Sequence, residues 1–485
     1  MEEGMNPLLL ESAVALADRI RRGAVSSEEV VEAHIGRVGQ VNPELNAVVA
    51  ERFAEARVEA RAADLARARG EDRPLLGVPC TIKECFALTG MPNTSGLVAR
   101  RGLRPDADAT AVRRLRAAGA IPLGVTNVSE LCMWMETSNR VYGRTNNPYD
   151  PSRIVGGSSG GEGAIVGAGA SPFGLGSDIG GSIRMPAFFN GVFGHKPTGG
   201  LVPGTGQFPQ PADGALRYLT TGPITRRAED LMPLLRLLAG PDREDAGSRA
   251  FDLGAPEDVR LEGLSVVSVE DDGGTTPVTP ELREAQERAA SWLSARGARV
   301  RRARIEGLER GIEIWSAMLD AAEGPSFRSM LGRGVDIDVG RELLRWVVRR
   351  SPHTLPALGL ALVEQLPKRL PGRARRALVE GQALGRRVIE AIGDGVMLYP
   401  SYAEAAPRHV TPLFPPTRWA YTAILNVLEL PVTQVPLGLS RSGLPLGVQV
   451  AATPGRDHVT IAVAIALERA FGGWVPPPRL ADRQS

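Results

Sequence analysis

Val155-Gly-Gly-Ser-Ser-Gly-Gly-Glu-Gly163 and, shortly after it, Gly174-Leu-Gly-Ser-Asp-Ile-Gly-Gly-Ser-Ile-Arg-Met-Pro186 place two serines, Ser158 and Ser182, in glycine-dense loops. Glycine at this density lets the backbone take positive φ and approach a ligand closely, so that successive N–H groups can converge on one oxygen. The second loop leaves a strand-like run at 173–176 and enters what reads as a helix start at Ile183. A hydroxyl at such a start, surrounded by free N–H groups, suits a nucleophile with its own oxyanion hole.

Other readings of the block fit less well. A dinucleotide loop needs GxGxxG, whereas Gly174, Gly176 and Gly180 give GxGxxxG with no suitable acidic residue about 20 positions on. No GxxxxGK[ST] phosphate loop is present. Gly156-Gly-Ser158-Ser-Gly160 formally satisfies the GxSxG elbow, with His409 or His458 available for a triad. That elbow needs a solid strand before it, and Ile154-Val155 after Asp150-Pro151 is a poor one. It also leaves the second glycine-serine loop unexplained, as does a purely packing role for the glycines.

Upstream, Gly77-Val-Pro-Cys-Thr-Ile-Lys-Glu-Cys-Phe86 carries Lys83, one of three lysines (with Lys196 and Lys368) among 57 cationic residues. Arginine does not give up its proton in a protein, whereas a buried lysine can. Lys83 is therefore a candidate base; the plainer alternative is a lysine that pairs with Glu84 or caps a turn.

Strand-like runs near 78–83, 121–126 and 173–176 alternate with helical stretches such as 109–118, read as capped by Asp108, and this alternation predicts an α/β layered sheet. Before it, Ser26 and Glu29 form a capping box in a helical lead-in that ends at Gly70. After it come strands at 265–269 and 300–305 around a helix opened by Thr279-Pro280, a helical, arginine-rich stretch at 306–395, and further strands at 396–399, 431–437 and 446–451. Helices are expected around 418–429 and at 457–471.

Among 485 residues, 57 basic against 55 acidic side chains leave a net charge of +2, so no global attraction to nucleic acid or to an anionic membrane is expected. Cys80, Cys85 and Cys132 lack paired spacing and fall in apolar segments, which argues against a disulfide framework or a metal site. The acidic N-terminus shows no signal-peptide pattern, and the apolar run Leu355 to Val363 is too short to span a bilayer. A cytoplasmic protein without metal or cofactor is the expectation.

Taken with Lys83, the loop at 156–161 and Asp178-Ile-Gly-Gly-Ser-Ile-Arg184, three further segments extend the pattern over nearly the whole chain: Gly194-His-Lys-Pro-Thr198, Leu430-Pro-Val-Thr-Gln-Val-Pro436 and Gly443-Leu-Pro-Leu-Gly-Val-Gln449. In order and spacing they resemble the amidase signature family. Ser129-Glu-Leu-Cys-Met-Trp134, Tyr142-Gly-Arg-Thr-Asn-Asn-Pro-Tyr149 and Met185-Pro-Ala-Phe-Phe-Asn-Gly191 are most similar to its fatty-acid amide hydrolase branch, second type. Soluble bacterial aryl-acylamidases and urethanases are similar in the same segments.

The resemblance implies one domain over residues 1–485: a large twisted mixed β-sheet covered by helices on both faces, with a helical cap insertion. Its parts would be a lead-in at 1–75, a catalytic core at 76–305, the cap at 306–395 and completion of the sheet at 396–485. It implies Ser182 as nucleophile, Ser158 as a bridging serine on a cis peptide, Lys83 as base, and amides of Ile179, Gly180, Gly181 and Ser182 as oxyanion donors. Ser159, Asp178 and Arg184 are assigned to loop support and His195 to structural hydrogen bonding. Cys132, Met133, Trp134 and Phe208 fall in segments that line the acyl channel of similar enzymes, which favours a hydrophobic amide or carbamate substrate. The basic, apolar cap admits weak membrane contact, and a homodimer stays open. The competing class is an amidotransferase A-type glutaminase subunit that works with partner chains.

Overall fold

The computed structural model describes residues 5–211, 213–274, 276–322, 324–364, 371–413 and 418–481. Its strands are β1 (Val48–Glu51), β2 (Pro79–Lys83), β3 (Ile121–Thr126), β4 (Ser138–Asn139), β5 (Gly143–Arg144), β6 (Phe173–Asp178), β7 (Phe193–Lys196), β8 (Thr220–Thr225), β9 (Ser265–Ser268), β10 (Arg299–Arg302), β11 (Val396–Tyr399), β12 (Val432–Leu439) and β13 (Pro445–Ala451). Except for the β4–β5 hairpin they form one sheet, ordered β1-β3-β2-β6-β8-β7-β12-β13-β11-β9-β10. The pairs β2–β3, β2–β6, β9–β10 and β9–β11 are parallel and the others antiparallel. Helices flank the sheet, so the expected large mixed sheet is present.

The central strands β2, β3, β6 and β8 are buried along their whole length, as strands covered on both faces must be. Within β2 the two-residue period sends Cys80 and Ile82 into the main apolar cluster and Thr81 and Lys83 to the other face. There Thr81 Oγ1 donates to Glu162 Oε2 at 2.6 Å, on the fully buried helix Gly160–Gly167. Thr126 of β3 donates to the other carboxyl oxygen at 2.8 Å. Burial raises the Glu162 pKa to about 8, against the Thr81 and Thr126 bonds, which lower it. Ile82 and Val125, fully buried, each contribute about 1.5–3 kcal/mol of apolar transfer.

Two details differ from the sequence reading. The lead-in is not wholly helical: β1 leaves it to pair antiparallel with β3, Val48 opposite Thr126, and forms the sheet edge. Asp108 does not cap the next helix, which spans Thr110–Ala117 with Ala109 at its N-cap. The Asp108 carboxylate instead accepts from Thr89 N, Thr89 Oγ1 and Arg116, a set that includes a cation and outcompetes a lone capping bond. The Ser26–Glu29 capping box forms as expected. Between β10 and β11 the described elements are all helical: Gly311–Asp320, Phe327–Leu331, Val339–Val347, Leu355–Val363 and Pro371–Ile392, besides a short 3-10 turn.

Candidate active site

Lys83 ends β2 and Ser177-Asp178 ends β6, and the parallel register of Thr81 with Gly174 and Ile82 with Leu175 brings those carboxyl ends side by side. Ligands of α/β sheets characteristically bind at such strand ends. The fully buried Lys83 Nζ donates to Ser158 Oγ at 2.8 Å, Ser177 Oγ at 3.0 Å and Ser177 O at 3.3 Å, which occupies all three ammonium donors. Glu84, one position on, faces away: its carboxylate accepts from Thr94 N and Oγ1, Ser95 N and Tyr142 OH. The Lys83–Glu84 pairing is thus absent.

Ser158 precedes the Gly160–Gly167 helix, and the Gly157–Ser158 peptide is cis. Gly156 takes φ +79°, and a Cβ on Gly157 would collide with the Trp134 carbonyl, so both positions need glycine. Ser182 is buried at 7 % exposure, against 0 % for Lys83 and 1 % for Ser158. It stands just ahead of the helix start the sequence suggested, since the following helix is Arg184–Phe189 and Ile183 is its N-cap. Asp178 Oδ2 takes the first amides of that helix, Ile183 and Arg184, at 3.0 and 3.4 Å. Its Oδ1 takes Gly181 N–H at 2.6 Å.

That last bond occupies the Gly181 N–H, one of the four amides expected as oxyanion donors. Among the described residues the amides of Ile179, Gly180 and Ser182 have no hydrogen-bond acceptor. Arg184 makes a fully buried ion pair with Asp178, through Nε at 3.0 Å and Nη2 at 3.0 Å, and extends to Gln449 Oε1 at 2.8 Å and Asn426 Oδ1 at 2.5 Å. Burial opposes the Asp178 charge, but Arg184 outweighs it, and with the Ile183 and Asn426 bonds holds the carboxyl well below the usual range. Ser159 Oγ donates to Ser177 O at 3.3 Å and ties the two serine loops together. His195 bonds Thr433 and Asp457, away from the loops.

The expected pocket residues separate into two groups. Met133 and Phe208 pack on a small apolar cluster with Phe327, Leu331, Val339 and Ala357 of the helical insertion, and Arg100 stacks on the Phe208 ring at 3.5 Å. Trp134 packs on the main core. Cys132 lies on the lysine side, where a hydrogen bond from Cys85 foremost, and then the Lys83 charge, pull its thiol pKa down, while burial pushes Cys85 up. All three cysteines are free and buried.

Sequence reading missed Ser177, although it adjoins the quoted Asp178, and missed Trp315, Thr422 and Asn426, which approach from distant segments. Trp315 Nε1 donates to Ile179 O at 2.8 Å and Thr422 Oγ1 to Gly180 O at 2.7 Å. Lys368 lies outside the described residues. Lys196 is buried with its pKa lowered to about 7 by burial, and its amine is bonded to Pro197 O.

A family model described as Amidase matches residues 29–461. Fatty-acid amide hydrolase 2-B of Danio rerio is 48% identical over 97% of this chain and 91% of its own length. Fatty-acid amide hydrolase 2 of Homo sapiens is 46% identical over the same shares. The crystal structure of a bacterial aryl acylamidase of the amidase signature family superimposes with a TM-score of 0.83 at 26% identity, covering 99% of this chain and 100% of that one. With a serine-lysine cluster at the strand ends and these likenesses spanning almost its full length, the chain belongs to the amidase signature family and is a serine amidohydrolase.

Proposed function

We propose that the protein hydrolyses hydrophobic linear amides, acyl or aryl, through an acyl-enzyme on Ser182, with carbamates and esters turned over by the same carbonyl chemistry. The observation that carries this reading is the 2.8 Å contact between Lys83 Nζ and Ser158 Oγ beside the Ser182 loop. A serine hydroxyl is a poor nucleophile until a positioned base takes its proton. In the neutral form Lys83 takes the Ser158 proton while Ser158 takes that of Ser182. Ser182 Oγ then attacks the carbonyl carbon, and the oxyanion meets the amides of Ile179, Gly180 and Ser182, each worth about 3 kcal/mol when well placed. The proton returns through Ser158 to the leaving nitrogen, the C–N bond breaks, and water releases the acid by the same route.

The apolar surroundings of Met133 and Phe208 support a hydrophobic acyl or aryl group. A glutaminase subunit dependent on partner chains is the competing reading, and the identity of 46–48% to fatty-acid amide hydrolases favours the free-standing one. Turnover of a long-chain acyl anilide, a short aryl amide, an aryl carbamate and glutamine by the isolated chain decides between them. The anilide and aryl amide are expected to be cleaved fastest; glutamine as the only substrate turned over would sink the proposal.

We also propose that the insertion meets an anionic lipid surface. Leu344, Val347, Val348, Leu362 and Val363 are each more than half exposed, and Arg341, Arg345, Arg349 and Arg350 are exposed beside them in the chain. Apolar residues flanked by arginines suit a headgroup boundary. The basic run to Arg376 lies partly outside the described residues, and no described helix is long and apolar enough to cross a membrane. Vesicles containing phosphatidylserine are expected to carry the protein upward in a flotation gradient, and Leu344→Ser with Val347→Ser to weaken this; equal recovery with neutral vesicles would refute the charge-assisted contact.

A further inference from the structure

The Ile179–Gly180 peptide is trans, since the cis bonds of the described residues are at Gly157–Ser158 and Phe208–Pro209. In a planar trans unit the C=O and the N–H point in opposite directions, so whatever holds one aims the other. The Ile179 carbonyl is held by Trp315 Nε1 at 2.8 Å, and the Gly180 N–H on the far side of that plane has no acceptor among the described residues. The next peptide is held at both ends, its Gly180 carbonyl by Thr422 Oγ1 at 2.7 Å and its Gly181 N–H by Asp178 Oδ1 at 2.6 Å. Trp315 is the one of these partners that comes from the helical insertion, on Gly311–Asp320.

Its ring is itself fixed. Trp315 and Trp419 meet edge to face, with centroids 4.7 Å apart at 88°, and the pair presses on Gly180, where a Cβ would lie 3.3 Å from Trp419 and 3.4 Å from Trp315. The Gly311–Asp320 helix packs against Ala420–Val427, which carries Thr422. The donor therefore cannot swing away without unpacking two helices.

We infer that Trp315 is a positioning residue: its indole N–H holds the Ile179 carbonyl so that the Gly180 N–H is aimed at the oxyanion formed on Ser182. This makes the insertion a structural support of the reaction centre as well as a cover, and it rests on the acyl-enzyme reading above. A hydrogen bond to a backbone carbonyl does not touch substrate, so its effect appears in the transition state and not in ground-state binding.

The test replaces the N–H without changing shape. Trp315→β-(3-benzothienyl)alanine puts sulfur where Nε1–H stood, and Trp315→Phe serves as a second variant that removes the donor. Direct loss of an oxyanion donor costs about 10²–10³-fold in kcat, so loss of the group behind it is expected to cost about 10–100-fold, with KM within about threefold. The inhibition constant of a trifluoromethyl ketone analogue of the anilide, which forms a tetrahedral adduct on serine, should rise in proportion, with the thermal midpoint of the isosteric variant unchanged. A benzothienyl variant with parental kcat and parental affinity for the ketone overturns the inference. Ser182→Ala in the same assay separates the two levels: if it stays active the nucleophile assignment fails, and if it is silent while the benzothienyl variant is parental, only the role of Trp315 fails.

Discussion

Ser182→Ala is expected to lower kcat on an acyl anilide by about 10⁵-fold or more, and Lys83→Arg by about 10⁴-fold, with the double variant no worse than Ser182→Ala alone. Non-additivity is the diagnostic, because groups that act as one relay lose their value together. Arginine matches lysine in charge and reach, yet does not release its proton, so Lys83→Arg separates a base from a mere cation. Its buried site, closed by Ser158, Ser177 and the ends of β2 and β6, also leaves little room for a guanidinium, and Lys83→Met supplies the control for crowding. Single-turnover kinetics with an activated ester check the same step. Turnover that survives Ser182→Ala but is lost in Ser158→Ala would replace this mechanism with the GxSxG elbow.

Arg184→Met is expected to cost about 3–5 kcal/mol of stability, because it leaves Asp178 buried without its cation. The pH dependence carries a sign. In the parent, Asp178 is held below its ordinary value of 3.8, so its contribution is fully present above that pH and is lost as pH falls toward the folded value. In Arg184→Met, burial, opposed by the remaining Gly181, Ile183 and Asn426 bonds, should raise the same carboxyl, so stability should decline as pH rises above about 4. Denaturant midpoints at pH 5 and pH 8 read this directly, and equal midpoints for the variant would show that Arg184 is not what holds the charge. Activity should fall as well, since Asp178 also fixes the Gly181 and Ile183 amides of the Ser182 loop.

The loops at 156–161 and 176–184 were legible because their chemistry is local: glycines, serines and an acid within a few residues specify backbone freedom and nucleophiles wherever they are placed. The strands β2, β3 and β6 were legible as short apolar runs bounded by turn residues. Asp108 failed as a predicted cap because a carboxylate goes to the strongest donors within reach, and Thr89 and Arg116 are brought there by folding. β1 escaped notice because four residues at a sheet edge draw their strand state from pairing with β3 rather than from their own pattern.

By itself the sequence determined the family and the layered α/β class and singled out Lys83, Ser158 and Ser182 as candidates, since these follow from residue types and spacing along one chain. Only the tertiary structure decided which amides are free. Gly181 is withdrawn by Asp178, Gly180 is left open, and its peptide is held by Trp315, a residue 136 positions away whose tryptophan looks like any other apolar residue of a helix. A hydrogen bond depends on distance and direction in space, and neither is written in the order of residues until the insertion has packed against the sheet.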